Sequence, residues 1–534
     1  MLKLPANKRC IRFYLPLYCL ALIMTGCTSL PVNEDRPRSS ALTDTSQTTL
    51  GQAVTRLSVD KGEMSGFSPL SEGLDAFAAR AILSNVAEQS IDVQYYIWHS
   101  DDVGRLMSVA LIKAAERGVR VRVLIDDLGL GAPDLNLVSI DAHPNIEIRL
   151  FNPVINRSWR AIESVFSFSR INRRMHNKSF TVDNQMTIVG GRNIGNEYFD
   201  AAPDVNFNDF DVLAMGPVAH EVSDSFDKYW NSEYAIPVAE IIHENGKPIE
   251  EVVKTALELE AELKNSPYLQ AVRESEFVTH LKNRTLPLYW GDAHVLYDDP
   301  EKLRSYSDND ETHLLTKIGP IVGDIQREFM IISPYFVPGK DGVEDIGNLI
   351  KQGVSVKILT NSLVATDVGI VHAGYAKYRL PLLEEGAELH EAKPDPTRAK
   401  KSNKQKNSGM SGSSRSSLHS KVYVFDRKRV FVGSLNLDPR SAKINTELGI
   451  FFENDEFAGM LGHWWDTQIA NLAYQVKFET RKVDEGWRER EIKSLYWVEH
   501  FDGQNKVYTS EPQTGFWRRL GVGFLSIFPV ESQL

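Results

Sequence analysis

Cysteine is almost missing from this 534-residue sequence: Cys10, Cys19 and Cys27 are the only three. Nothing after residue 27 carries a thiol, which excludes disulfides, cysteine nucleophiles and cysteine-ligated metals from the folded part of the chain. Basic charge is also in deficit. Lys and Arg number 60 against 71 Asp and Glu, giving a formal net charge of -11. General nucleic-acid binding needs a basic footprint and is therefore not expected. Attraction to anionic lipid must come from local features. Metal-ligand spacing is lacking among His99, His143, His220, His243, His280, His294, His313, His372, His390, His463 and His500. The stretch SGSSRSS lacks the strand, lysine and helix that a phosphate-binding loop requires.

Long apolar runs are scarce too. One extends from Phe13 to Met24, behind the positive Lys3, Lys8, Arg9 and Arg12. It is too short for a membrane span and reads as a secretory signal over residues 1–26. It ends in Thr25-Gly26-Cys27, which resembles a bacterial lipobox, so Cys27 is the expected lipidated first residue. Cleavage removes four basic and no acidic residues, leaving 56 basic against 71 acidic and a net charge of -15.

What the chain does have is an internal repeat. SIDVQYYIW (90–98) and LIKAAERGVRVRVLIDD (111–127) give strand, helix, glycine and strand. REFMIISPYFVP (327–338) and LIKQGVSVKILTN (349–361) repeat that order, with Gly118 and Gly353 at equivalent places. Alternating strands and helices with continuous apolar strands predict a mostly parallel α/β sheet in each half. A Glu- and Leu-rich stretch between the halves predicts a helical connector. A Ser-, Gly- and Lys-rich stretch, 393–417, predicts a loop at the mouth of a site. The tail around Phe516, Trp517, Arg518, Arg519 and Leu520 suits a bilayer interface or packing on the domain.

The chemistry sits in two copies of one motif. MHNKSFTVDNQMTIVGGRN supplies His176, Lys178 and Asp183, then Gly190, Gly191 and Asn193. LHSKVYVFDRKRVFVGSLN supplies His419, Lys421 and Asp426, then Gly433, Ser434 and Asn436. The H-x-K-x-x-x-x-D triple arises by chance at roughly one position in ten thousand, so two copies with the same downstream G-(G/S)-x-N are not accidental. His and Lys two apart on a strand share a face. Each copy thus presents an imidazole, an ammonium and an amide. One copy lacks a second imidazole to act as acid. Two copies about a pseudo-two-fold axis supply both, with two lysines and two asparagines for phosphate oxygens.

These residues resemble the phospholipase D superfamily, and nearly the whole chain after the signal is similar to bacterial cardiolipin synthases of the C-type branch. The stretches 361–391, NIGNEYFD (193–200) and LNLDPRSAKINTELG (435–449) carry that likeness. The resemblance implies two phospholipase D-like αβα sandwich domains with the active site at their interface. It implies a tether over 27–55, a first domain over 56–240, a connector over 241–286, a second domain over 287–480 and a C-terminal extension with an interfacial tail over 481–534. It further implies a metal-independent double displacement without cofactor, through a phosphohistidine. His176 is assigned as nucleophile and His419 as general acid and then base, although the near-symmetry of the repeat allows the reverse. Lys178, Lys421, Asn193 and Asn436 are expected to hold phosphoryl oxygens. A carboxylate is needed to fix each imidazole; Glu447 fits in the second copy and Asp209 in the first, with Asp211 in reserve. Asp183 and Asp426 belong to the motif and are expected to hold its strand-turn. His372 and Tyr375 are candidates for lining the substrate groove, and Asp126 and Asp127 for bordering it.

The function these features imply is a periplasm-facing, lipid-anchored phosphatidyltransferase. Phosphatidylglycerol is the expected acceptor, phosphatidylethanolamine the donor suggested by the branch, and cardiolipin the product. The alternatives are a phospholipase D releasing phosphatidic acid and, against the negative charge, a nuclease. Oligomeric state is not legible.

Overall fold

The computed structural model describes residues 30, 36–131, 133–202, 206–304, 311–394, 416–484, 489–501 and 503–525. The signal, Cys27 and most of the Ser- and Lys-rich stretch lie outside the described residues.

Two mixed sheets form the frame. The first contains β1 (Ser65–Leu70), β2 (Ser90–Tyr95), β3 (Arg120–Asp126), β4 (Ile146–Phe151), β5 (Ser179–Val182) and β6 (Met186–Gly190). Apart from them stands the short β7 (Asn206–Asn208), and β8 (Asp211–Met215), β9 (Ala235–Pro237) and β10 (Tyr289–Gly291) complete the sheet. Its order is β10-β1-β8-β6-β5-β2-β3-β4-β9. The second sheet is built from β11 (Ala293–Tyr297), β12 (Glu328–Ile332), β13 (Ser355–Asn361) and β14 (Glu388–Ala392). After the short β15 (Ser416–Leu418) come β16 (Val422–Phe425), β17 (Arg429–Gly433), β18 (Leu448–Glu453), β19 (Ala473–Asp484), β20 (Glu489–Phe501) and β21 (Gln504–Tyr508). Its order is β11-β18-β17-β16-β12-β13-β14-β19-β20-β21. The run β8-β6-β5-β2-β3-β4 in one sheet thus corresponds to β18-β17-β16-β12-β13-β14 in the other.

Only β2-β3-β4 and β12-β13-β14 pair in parallel within these sheets. The expectation of mostly parallel sheets is corrected on this point. The reason is local: each His-Lys-Asp motif is one arm of a hairpin, β5-β6 or β16-β17, and hairpin arms are antiparallel. The parallel part follows the repeat. Helices Asp102–Glu116 and Gly339–Lys351 cross from β2 to β3 and from β12 to β13. Gly118 and Gly353, at φ of 92° and 94°, turn the chain after them in a conformation that side chains resist.

The two halves share a core. Phe67, Val189, Val212 and Ala214 of the first sheet pack with Val422, Val432, Ile450 and Phe452 of the second. The rings of Phe67 and Phe452 stack at 4.1 Å between centroids. Two short exchanges stitch the halves further. β7 pairs in parallel with β15, and Met175 bridges to Thr446.

Three boundaries differ from expectation. Residues 36–48, within the expected tether, lie against the first half. Arg149 donates to Pro37 O (2.9 Å), Ser39 N to Asn231 Oδ1 (3.1 Å) and Ala41 N to Asp227 Oδ2 (2.7 Å), and Thr49–Leu57 is a helix. Side chains of the domain meet the backbone of this polar segment, which apolar periodicity does not reveal. At Pro287 the chain has not yet entered the second half, because β10 pairs with β1. The C-terminal extension is not separate: β19 to β21 continue the second sheet. Between the halves stand helices Ile249–Leu263, Pro267–Arg273 and Glu276–Asn283. Among the described residues no helix is long and apolar enough to cross a membrane.

Candidate active site

The motif histidines lie at the mouths of β5 and β16, and each is held by backbone of the other half. His176 N donates to Thr446 O at 2.8 Å, and His419 N donates to Asn208 O at 2.8 Å. Both donors therefore deliver their side chains beside the next residue of the opposite strand. Nδ1 of His176 donates to Glu447 Oε2 at 2.8 Å. Nδ1 of His419 donates to Asp209 Oδ2 at 2.6 Å. The two candidate orienters are thus brought to the histidines, but crosswise between the copies. Asp211 is engaged elsewhere, in a buried pair with Arg80 at 2.8 Å.

The two carboxylates are built differently. Glu447 accepts Ser434 Oγ at 2.5 Å and Ser441 Oγ at 2.7 Å in addition to the histidine. Asp209 uses Oδ1 for the N–H of Phe210 at 2.7 Å. Gly191 stands where the other copy has Ser434. A Cβ on Gly191 would come within 2.2 Å of Asp209 Oδ1, so that position has no room for a side chain. The shorter acid goes with glycine and the longer one with a serine that caps it.

The lysines stand beside the histidines on the same faces. Lys178 Nζ donates to His176 O and Lys421 Nζ to His419 O, each at 2.5 Å. All four side chains are buried, which sets their charge states. Burial, then Lys178, Lys421 and His419, hold the His176 imidazole well below its ordinary range. His419 is lowered by burial and Lys421 against the pull of Asp209. Burial brings Lys178 down to about 7 and Lys421 to about 8, despite the nearby carboxylates. Glu447 is raised by burial, whereas in Asp209 the cations His419, Lys421 and Arg192 outweigh burial and hold it low. The resting site is a cluster of near-neutral nitrogens, and the negative charge of an arriving phosphodiester favours their taking up protons from solvent and pairing with it.

Of the asparagines, Asn193 is tied to Ile97 N and Tyr198 Oη, at 3.1 and 3.0 Å. Asn436 Oδ1 is buried without a partner among the described residues. Asp183 and Asp426 lie away from the cluster at the far ends of β5 and β16. Asp183 Oδ1 accepts the N–H of Gln89 (2.8 Å) and Ser90 (2.9 Å), and Asp426 Oδ1 those of Arg327 (2.7 Å) and Glu328 (3.1 Å). They fasten the motif strand to β2 or β12.

Aromatic rings wall the imidazoles. Tyr96 meets His176 at 5.2 Å, and Tyr198 and Phe207 meet His419 at 5.3 and 5.2 Å. Tyr198, Phe207 and Ser441 escaped sequence reasoning, since no motif spacing marks them. Asp126 borders the site by clamping Arg174 and the N–H of Met175 just ahead of His176. Asp127 is turned to Arg157 and Arg160. His372 and Tyr375 do not line the groove. They belong to a buried cluster with Arg379, Glu391 and Glu511. His99, Asp101 and Glu197 come within 4.8 Å of one another. Both Asp101 oxygens already accept backbone N–H groups, of Gly104 and Asn196.

Comparisons with known proteins identify the family and the fold. A family model described as "Cardiolipin synthase, PLD-like domain" matches residues 82–230 and 321–467. The chain is 40% identical to cardiolipin synthase C of Escherichia coli, over 90% of this chain and 99% of that protein. It is 34% identical to an uncharacterised protein of Helicobacter pylori, over 83% of this chain and 87% of that one. Among solved structures, phosphatidylserine synthase of Haemophilus influenzae has the same fold, at 14% identity and a TM-score of 0.51, covering 79% of this chain and 91% of that one.

Proposed function

The chain belongs to the PLD-like cardiolipin synthase family, and from that membership we propose how its site carries out phosphatidyl transfer to make cardiolipin. The observation that supports the mechanism is the crossed pairing of His176 with Glu447 and of His419 with Asp209. Each carboxylate fixes a tautomer, committing Nδ1 and leaving Nε2 as the nitrogen for chemistry.

Nε2 of His176 attacks the phosphorus of a donor phospholipid. The bond from phosphorus to the headgroup oxygen breaks, and His419 Nε2–H protonates that oxygen. The phosphatidyl group is then held on His176. In the second step His419 takes the proton of a hydroxyl on phosphatidylglycerol, whose oxygen attacks phosphorus as the N–P bond breaks. His176 is regenerated and cardiolipin leaves. Lys178 and Lys421 neutralise the phosphoryl oxygens and Asn193 and Asn436 position them through their amide N–H groups, roles that are strongest in a dry, buried site. Phosphatidylethanolamine is the proposed donor.

His176 rather than His419 is given the nucleophile's role because of the asymmetric carboxylates. Asp209 is held anionic and favours a proton on His419. Glu447 is capped by two serines and supports an imidazolium less. We place the enzyme on the periplasmic face of the bacterial membrane, held by a lipid on Cys27.

Thin-layer or mass-spectrometric analysis of labelled phosphatidylethanolamine and phosphatidylglycerol, incubated with the purified chain, tests the reading. Cardiolipin is the expected product, lost in His176→Ala and His419→Ala. Phosphatidic acid alone would assign hydrolysis instead, and turnover surviving both replacements would overturn the mechanism.

A further inference from the structure

Large apolar side chains gather on the surface in the segment between β4 and His176. There Trp159, Ile162, Phe166 and Phe168 are 61, 46, 61 and 53% exposed. The first three stand three and four residues apart across the turn Arg157–Trp159 and the helix Arg160–Phe166. That spacing lines up one stripe. The opposite side of the segment is fastened to the domain. Glu163 points inward and accepts the N–H of Ile155 (3.1 Å) and Asn156 (2.7 Å) and a bond from Arg170 (2.8 Å). Arg157 is tied to Asp127 and Asp134. The apolar stripe is therefore presented by a braced element.

The charged groups of residues 155–175 are mostly engaged: their one acid, Glu163, is buried, Arg173 and Arg174 are buried, Arg157 pairs with Asp127 and Asp134, Arg170 pairs with Glu163, and Arg160, paired with Asp127, keeps the most exposed guanidinium. Helix Phe516–Leu525 exposes Phe516, Trp517 and Leu520 beside Arg518 and Arg519 and has no acidic residue. Exposed aromatic and branched side chains beside arginines, with the neighbouring carboxylates Asp127, Asp134 and Glu163 taken up in ion pairs, suit the interface of an anionic bilayer.

Both elements adjoin the site, one from each half. The segment 152–175 leaves the end of β4 and runs directly into His176. Its neighbour Asp127 follows Asp126, which clamps Met175 N at 3.0 Å. The terminal helix packs on the helix Gly369–Ala376 through Val522 and Ala373. Arg518 also donates to Thr366 O at 3.2 Å, one residue before Asp367, whose carboxylate is near enough to act on the buried ammonium of Lys421.

We infer that residues 157–168 form a bilayer-docking foot beside His176, which acts with the terminal helix to seat the mouth of the site on an anionic phospholipid surface. The inference rests on the reading that the substrate is a membrane phospholipid, and it names the surface that meets that membrane.

Hydrogen–deuterium exchange on the full chain tests it, with and without vesicles of phosphatidylglycerol and phosphatidylethanolamine. Peptides over 155–171 should be protected by vesicles. The triple variant W159S/I162S/F166S, altered only at exposed positions, should lose that protection. It should also lose about tenfold or more of its turnover on vesicles while keeping turnover of a short-chain phospholipid dispersed as monomers. Unchanged exchange over 155–171 with vesicles would overturn the inference. Protection that appears on raising protein concentration without lipid would overturn it too, assigning the face to a second copy of the chain. Exchange requires no turnover. A chain protected by vesicles that makes no cardiolipin would keep the foot and sink the proposed function.

Discussion

Nδ1 of His176 is 2.8 Å from Oε2 of Glu447, a residue 271 positions further along the chain, and the mirror contact joins His419 to Asp209 across 210 positions. Neither half holds a complete histidine–carboxylate pair. The repeat unit supplies an imidazole for one pair and an acid for the other, so the pairs exist only when the halves are packed together. The apolar core that the two sheets share holds both pairs in register.

The crossed pairs can be told apart. A phosphatidyl ester of p-nitrophenol needs no acid to expel its leaving group, so Asp209→Asn should still release nitrophenol in a first burst. It should then stall, with the phosphatidyl group trapped on His176, because His419 cannot act as base. Glu447→Gln should show neither burst nor trapped phosphohistidine. Steady-state turnover should fall in both by roughly 10²–10⁴-fold. Peptide mapping of the trapped phosphatidyl group is the measurement, and a label on His419 would reverse the assigned roles.

Ser434 gives a second handle on the asymmetry. Its hydroxyl donates to Glu447 and helps to hold that carboxyl down against burial. Ser434→Gly copies the Gly191 arrangement of the other half. Without this donor Glu447 becomes a stronger base and supports a proton on His176, which must be neutral to attack. The acid limb of the rate profile should therefore move to higher pH, with turnover at neutral pH reduced by about 3- to 30-fold. Gly191→Ser is expected to be worse, because a Cβ there meets Asp209 at 2.2 Å.

Lys178 ties function to stability with a defined sign. Burial lowers its folded value from 10.5 to about 7. Between those values the unfolded chain binds a proton that the folded chain releases, so this lysine's contribution to stability grows as pH rises through the window. Below it, the full cost of burying the charge remains. Lys178→Met should therefore be more stable than the parent near neutral pH, with the advantage shrinking towards high pH. The same variant should lose at least ~10²-fold in turnover, because it removes a cation from the phosphoryl oxygens. Urea unfolding at several pH values, set beside turnover, would show it. A gain in stability that does not change with pH would contradict the charge-burial account.

The motif was readable because its geometry is local. His176 and Lys178 share a strand face by the two-residue period, and the spacing to Gly190 follows from a tight hairpin. The sequence nominates Glu447 and Asp209 as orienters, each within its own copy of the motif, whereas packing between the halves pairs each with the histidine of the other copy. The same limit hid β10, which crosses from the connector to pair with β1, and the docking of residues 36–48 on Asn231 and Asp227. The family-like stretch around His372 was misplaced for a related reason. Its conspicuous histidine and tyrosine serve a buried ion cluster with Arg379, Glu391 and Glu511, and a lone sequence cannot separate a lined groove from a satisfied core.

Asp183 and Asp426 give the clearest separation of stability from chemistry. Each sits in a two-residue turn with positive φ, at 50° and 51° for Asp183 and Asn184 and at 56° and 57° for Asp426 and Arg427. Such turns match the twist of a hairpin. Each carboxylate also collects the N–H groups that open the neighbouring strand. Asp183→Ala would leave the amides of Glu88, Gln89 and Ser90 without this acceptor. That should cost roughly 2–4 kcal/mol of stability. Asp183→Asn retains one acceptor oxygen and should cost less. In both variants the turnover of the fraction that remains folded should stay within about threefold of the parent, because the residue is fastened to β2 rather than to substrate. Thermal unfolding together with turnover per folded molecule decides the matter. A collapse of turnover at unchanged melting temperature would return Asp183 to the catalytic cluster.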